Sequence, residues 1–185
     1  MSFNITALTS DIHYISFSVF TVCPILSHFQ VCSNPATYFH SYQEFGHPPH
    51  PDIKVLSGNW SLYEDRPGKP GWISTKRGGV IEFNVKFGEN PRLILGFLRS
   101  YEGLGDAIFS MPLINRRSVI LPGIEKEQHA SQTYSLNMNV KQEIFHEKFG
   151  LNGVLGWGIK PHTETKARIM AMSNMKFKLL YVIAC

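Results

Sequence analysis

Hydrophobic and polar residues alternate with a period of two along much of this chain. Val80–Phe87 is the clearest case: Ile81, Phe83, Val85 and Phe87 share one side, and Glu82, Asn84 and Lys86 the other. That spacing predicts a strand with one dry and one wet face. Leu93–Leu98 is apolar on both sides, which predicts a strand in the middle of a packed sheet. Asp106–Met111 is shorter and apolar again. Ser100–Gly105 between them carries two glycines, so Arg92–Met111 reads as strand, tight turn, strand. Further strands are predicted at Val55–Ser57, Trp72–Ser74, Ser118–Leu121, Thr133–Val140, Ala167–Met172 and Lys176–Ile183. Leu136, Met138 and Val140 share the inner face of one of these, and Phe177, Leu179, Tyr181 and Ile183 align on another. Glycine- and proline-rich turns separate the runs. Gln142–Gly158 stays open between a single helical turn and a loop.

Many short strands, frequent turns and no long helix predict an all-β fold, an antiparallel β-sandwich or jelly roll over residues 54–185. Ile81, Phe83, Leu95, Phe97, Phe109, Leu136, Met138, Phe177 and Leu179 would fill the space between two sheets. Residues 1–53 read as an irregular N-terminal extension, either a native start or an aberrant one joined to a domain fragment. Tyr14–Leu26 is apolar but too short to span a membrane, and Pro24 interrupts it. The positively charged start of a signal peptide is missing. Ser33–Asp52, crowded with Pro, His and aromatics, has the composition of a loop.

Charge divides the chain in the same place. Residues 1–53 hold three acids and no Lys or Arg; all 18 Lys and Arg and the other 11 of the 14 acids follow. The basic residues are scattered, so a solvated surface explains them better than a nucleic-acid interface. Cys23, Cys32 and Cys185 form no C-x-x-C pair, which removes the zinc and thioredoxin patterns. Free thiols are expected, the alternative being a short Cys23–Cys32 loop in an oxidising compartment. Asn4-Ile5-Thr6 and Asn59-Trp60-Ser61 are glycosylation sequons that matter only in a secreted chain. His40, His47 and His50 lack a supporting Cys or carboxylate spacing, so a polar loop is expected there, not a metal site.

Three stretches carry a family likeness: Lys69-Pro70-Gly71-Trp72-Ile73, then Gly96-Phe97-Leu98-Arg99-Ser100-Tyr101-Glu102-Gly103-Leu104-Gly105, then Lys176–Cys185. They resemble the C-terminal β-sandwich region of plant and algal SGNH (GDSL)-type hydrolase-like proteins, over about residues 58–185. The resemblance implies a catalytic serine in a Gly-Asp-Ser block and a distal Asp-x-x-His. Here Gly105-Asp106 runs into Ala107, and none of the eight histidines has Asp three residues before it. What the resemblance implies for this chain is therefore an accessory module without the catalytic domain.

The residues carry no other reaction centre. Gly-x-Ser-x-Gly, a Cys–His pair and a phosphate loop are all missing. Glu64, Asp65 and Glu82 have no spacing that marks a carboxylate pair. Catalytic residues, cofactors and metals are thus not expected, and a remnant esterase would need His129, His146 or His162 near an acid and a serine. Binding is the better expectation, because sandwich modules stack aromatic rings on sugar faces. Trp60, Trp72, Tyr101, Arg99 and Glu102 are the candidate ligand-binding residues, with Arg99–Glu102 as a flanking ion pair and Trp157 as a further ring. Their structural alternative is that the tryptophans plug the sandwich ends and the ion pair braces a turn. The expected function is a non-catalytic, carbohydrate-associated module; the alternative is an interaction domain that packs on a partner α/β hydrolase domain. The expected partners are a glycan or that domain, with no nucleic acid and no membrane span. The expected location is the secretory pathway or the extracellular space.

Overall fold

The computed structural model describes residues 32, 35–114, 117–127, 129–139 and 157–185. The described residues all belong to one compact unit, Cys32–Cys185. Its strands are β1 (Thr37–His40), β2 (Ile53–Ser57), β3 (Ser61–Glu64), β4 (Pro70–Ser74), β5 (Val80–Lys86), β6 (Arg92–Arg99), β7 (Ala107–Ser110), β8 (Ser118–Leu121), β9 (Gln132–Asn139), β10 (Glu164–Ala171) and β11 (Phe177–Ala184). A single helical turn, α1 (Ser41–Glu44), follows β1.

The strands form two antiparallel sheets. One runs β3-β4-β11-β6-β9, with β1 also paired to β11; the other runs β2-β5-β10-β7-β8. The fold is thus the β-sandwich of jelly-roll class that the alternation predicts. Ile81, Phe83, Val85 and Phe87 are all buried, as expected, and face Leu93, Leu95, Phe97 and Leu179 of the opposite sheet within one core. Leu136 is half-buried against that core and Met138 is buried in it. Val140, Gln142–Gly156, Tyr14–Leu26, Cys23, His146 and the Asn4 sequon lie outside the described residues.

Four expectations need correction. Arg92–Met111 is not a hairpin. β6 pairs with β11 and β9, whereas β7 pairs with β10 and β8 in the other sheet. The glycine-bearing link between them crosses the sandwich, and its ends are held by bridges from Ser100 to Ile124 and from Leu104 to Lys176. Turn glycines permit reversal but do not say which sheet receives the next strand.

The second correction concerns β11. Phe177 and Leu179 face the core, but the register shifts between Leu179 and Tyr181. After this bulge Val182 and Ala184 are buried, and Tyr181 and Ile183 lie half-buried on the outer side. A bulge inserts one residue and inverts the alternation beyond it.

Third, the sandwich begins before residue 54. Thr37–His40, inside the stretch with loop composition, pairs residue by residue with Ala184–Tyr181. Fourth, Cys32 is neither free nor paired with Cys23: it bonds Cys185, 153 positions away. Spacing along the chain could not show this, because β1 brings the two ends of the unit together.

Candidate functional site

The residues expected to bind a ligand do not share one surface. Trp60 and Trp72 are each 4% exposed. Trp72 meets Phe83 edge-on at 5.5 Å between centroids, and Trp60 meets Phe177 at 6.3 Å. Both rings plug the sandwich and offer no face to solvent, so neither suits a stacking platform. Trp157 is also buried, against Phe109 at 5.6 Å.

Arg99 is buried too. Its guanidinium pairs with Glu125 at 2.8 Å, donates to the Ile124 carbonyl at 3.2 Å, and lies 5.0 Å from the Tyr134 ring centroid. Its acid partner is Glu125, so the structural role of Arg99 is to brace the link that follows β8. Tyr101 and Glu102 stand exposed between β6 and β7. The Tyr101 phenol hydrogen-bonds the Glu102 carboxylate, and that bond and charge push its pKa up.

A different surface gathers aromatic side chains. Phe39 of β1 points into the core, so Tyr38 and His40 point to the outer face of the six-stranded sheet. The register sets His40 against Tyr181 and Tyr38 against Ile183. Tyr38 and His40 stack at 5.8 Å with 26° between planes; His40 and Tyr181 stack at 5.5 Å and 14°. Tyr42 of α1 continues the row, 5.5 Å from His40 at 34°. Tyr38 is 41% exposed and Tyr42 57%.

Each ring has a local reason for its place. Tyr181 reaches the outer face because of the β11 bulge, and it lies flat over Gly96. A Cβ at Gly96 would come within 2.2 Å of the ring. The Tyr181 hydroxyl is hydrogen-bonded to the Ser135 hydroxyl on β9. His40 caps α1: its Nδ1 accepts from the Tyr42 amide at 3.2 Å. That bond needs an unprotonated Nδ1, and burial lowers the His40 pKa in the same sense. α1 is tied down by Ser41, whose hydroxyl donates to the Pro70 carbonyl at 2.9 Å, and by Tyr42, whose hydroxyl donates to the Gly68 carbonyl.

Sequence reasoning missed this surface. A signal existed, since Tyr38, His40 and Tyr42 recur every second residue, but the surrounding Pro and His hid it. The three histidines weighed for a metal are spread out. His40 sits in the stack, His50 packs edge-on against Phe39 at 5.0 Å, and His47 is exposed. Among the described residues no group of three or more His, Cys, Asp or Glu is placed to hold a metal ion. Of the histidines weighed for catalysis, His162 pairs with Glu89 at 3.0 Å on the surface. No helix among the described residues is long and apolar enough to cross a membrane.

Comparison with known proteins gives a likeness of fold. No family model matches the chain. No curated protein matches it. Among solved structures, a two-domain esterase active on acetylated mannans, co-crystallized with mannopentaose, superposes with a TM-score of 0.54 at 11% identity. The match covers 83% of this chain and 38% of the esterase. A second structure of such an esterase gives 0.52 at 12% identity, over 83% and 37%. A carbohydrate binding module from Cellvibrio mixtus lichenase 5A, in complex with cellotriose, gives 0.43 at 11%, over 82% and 97%. The chain thus spans little more than a third of the length of the esterases it matches, and shares with that part of them a two-sheet β-sandwich.

Proposed function

We propose that this chain is a non-catalytic, carbohydrate-associated β-sandwich module, derived from an SGNH esterase-like parent, that takes a glycan on the outer face of its six-stranded sheet. The observation that carries the reading is the row Tyr38–His40–Tyr42 with Tyr181, in which the two exposed tyrosines are tilted by 26° and 34° from the His40 ring between them. Tyrosines suit sugars because the ring meets C–H groups, and the Tyr42 hydroxyl, which donates to the Gly68 carbonyl, keeps its acceptor side for a sugar hydroxyl. The esterase whose fold it shares acts on acetylated mannans and has a second domain, which agrees with an accessory role beside a catalytic domain. The Cys32–Cys185 disulfide agrees with an oxidising, secretory or extracellular location.

Affinity electrophoresis in gels containing acetylated mannan, with other β-linked polysaccharides in parallel, tests this. Retarded migration that is lost in Tyr38→Ala and Tyr42→Ala, with melting temperatures near wild type, is the expected result. Equal retardation of wild type and both variants, or none in any gel, overturns it.

One observation favours packing on a partner hydrolase domain. Val80, Met170, Ile108 and Ile120 are paired neighbours and form an apolar row across four strands on the outer face of the other sheet, where Ile120 is 43% exposed and Met170 36%. Ile120→Lys would then abolish association with an SGNH domain supplied in trans, leaving polysaccharide retardation unchanged. Association that survives the substitution removes this reading.

A further inference from the structure

One row of outward side chains crosses every strand of the five-stranded sheet. The pairings set Lys54 of β2 beside Glu82 of β5, Glu82 beside Arg168 of β10, Arg168 beside Ser110 of β7, and Ser110 beside Ser118 of β8. Their sequence neighbours Phe83, Ile169, Phe109 and Val119 are buried in the core, so the row points away from it. Glu82 is nevertheless only 2% exposed. Lys166 Nζ donates to its Oε1 at 2.7 Å, and Arg168 Nε donates to its Oε2 at 2.6 Å. The Arg168 guanidinium is thus fixed by one edge. Its two terminal nitrogens bond nothing among the described residues, and the side chain is 38% exposed. A guanidinium held through Nε presents those two nitrogens as a fork, which meets a carboxylate with two parallel hydrogen bonds.

The surrounding groups say what kind of ligand. Lys54 is exposed and has no ion-pair partner among the described residues. Lys54, Lys166 and Arg168 stand against Glu82 and, in the next row, against Asp52, which accepts from the Asn84 side-chain amide. Lys86 and Glu164 face each other at 3.7 Å and cancel. One positive charge is left over, which suits a monoanion such as a carboxylate. Beyond Arg168 the row continues with hydroxyls. Those of Ser110 and Ser118 bond nothing among the described residues. Neighbouring strands lie about 4.8 Å apart, so the row from Arg168 to Ser118 spans about 10 Å. A ligand that fits it carries one carboxylate and, beside that, hydroxyl groups.

We propose that this row is a binding site, on the face opposite the aromatic row, for a uronic acid unit of an acidic glycan. The Arg168 fork takes the uronate carboxylate, and Ser110 and Ser118 exchange hydrogen bonds with hydroxyls of the sugar. Glu82 touches no ligand and positions Arg168. The proposal rests neither on the aromatic face nor on the apolar row beside it.

The test is ligand-observed saturation-transfer NMR and calorimetry on the full chain, with methyl glucuronide, methyl glucoside and inorganic sulfate as probes. Millimolar binding of methyl glucuronide is expected, weakening as salt is added. Methyl glucoside has a hydroxymethyl group in place of the carboxylate and should bind about tenfold more weakly or less. Arg168→Lys keeps a cation beside Glu82 but removes the fork, so methyl glucuronide should bind it about tenfold more weakly, with a melting temperature near wild type. Ser110→Ala should weaken binding about two- to tenfold by removing one neutral hydrogen bond. Should Arg168→Lys fail to fold, Ser110→Ala and the glucoside comparison still decide. Undetectable binding of methyl glucuronide, equal binding of methyl glucoside, tighter binding of sulfate, or wild-type affinity in Arg168→Lys or Ser110→Ala each overturns the proposal. Tyr42→Ala should leave glucuronide binding unchanged, and Arg168→Lys should leave retardation by neutral polysaccharide unchanged, so failure of one face is told from failure of the other.

Discussion

Lys178 is nearly buried, and its ammonium is held by Asp65 and by the Lys69 carbonyl. Its stem crosses Gly71, where a Cβ would come within 2.5 Å of the Lys178 side chain. Lys176 bonds the other Asp65 oxygen at 2.7 Å. Burial alone would raise the Asp65 pKa; the hydrogen bonds and charges of the two lysines outweigh it and hold it below the usual carboxylate value. Glu82 is held down in the same way by Lys166 and Arg168. A carboxylate whose folded pKa is depressed stabilises the fold above its unfolded pKa, and that contribution is lost as pH falls through the unfolded value towards the folded one. The urea midpoint should therefore fall steadily below about pH 4–5, more shallowly in Glu82→Gln than in wild type. Asp65→Asn leaves the buried Lys178 charge with a carbonyl alone and should cost about 3 kcal/mol at neutral pH, read by the same titration. His40 has the same sense for a different reason. Its folded pKa is lowered, so the neutral ring is preferred, and acidifying below the ordinary histidine value works against both fold and stack. Polysaccharide retardation should therefore weaken between pH 7 and pH 5, and an unchanged mobility would separate His40 from binding.

At the scale of elements, the β11 bulge and Gly96 act together. The bulge turns Tyr181 outward, and the missing side chain at Gly96 gives the ring a floor. Gly96→Ala should displace the ring at a cost of about 1–3 kcal/mol. The near-ultraviolet circular dichroism should change with it, and retardation on polysaccharide should fall as it does in Tyr38→Ala. β5 shows the opposite case, an element legible from its residues alone. Its inward side chains Ile81, Phe83 and Val85, and Phe87 just beyond it, are buried because nothing interrupts the twofold period. β11 also sets apolar residues at every second position, yet its second half faces the other way. One extra residue in the ladder leaves no mark on the pattern of residue types. The pair β6 and β7 shows a second limit. Both strands are legible, but a link rich in glycine serves equally for a hairpin and for a crossing between sheets.

For the whole molecule, the core and the disulfide act on different states. Phe97 is fully buried, stacked on Phe177 at 5.8 Å and tilted against Tyr134 at 5.3 Å. Phe97→Ala should cost about 3–5 kcal/mol by removing that packing. Cys32–Cys185 instead closes nearly the whole unit into one loop, which restricts the unfolded chain by about 4–5 kcal/mol on the chain-entropy view. Reduction should lower the melting temperature, and Cys32→Ser and Cys185→Ser should lower it equally. A wild-type chain as stable reduced as oxidised would show that the bridge does not form.

The residue order by itself determined the strand-rich class, the inward residues of β5 and the aromatic core, because side-chain alternation is a local property of an extended backbone. Only the tertiary structure decided which sheet each strand joined, where β11 changed face, which cysteines met, and that Tyr38, His40, Tyr42 and Tyr181 gather on one surface. Those outcomes depend on pairing between residues as far apart as 37 and 184. A pairing of that range is set by the free energy of the assembled sandwich, not by any window of neighbouring residues.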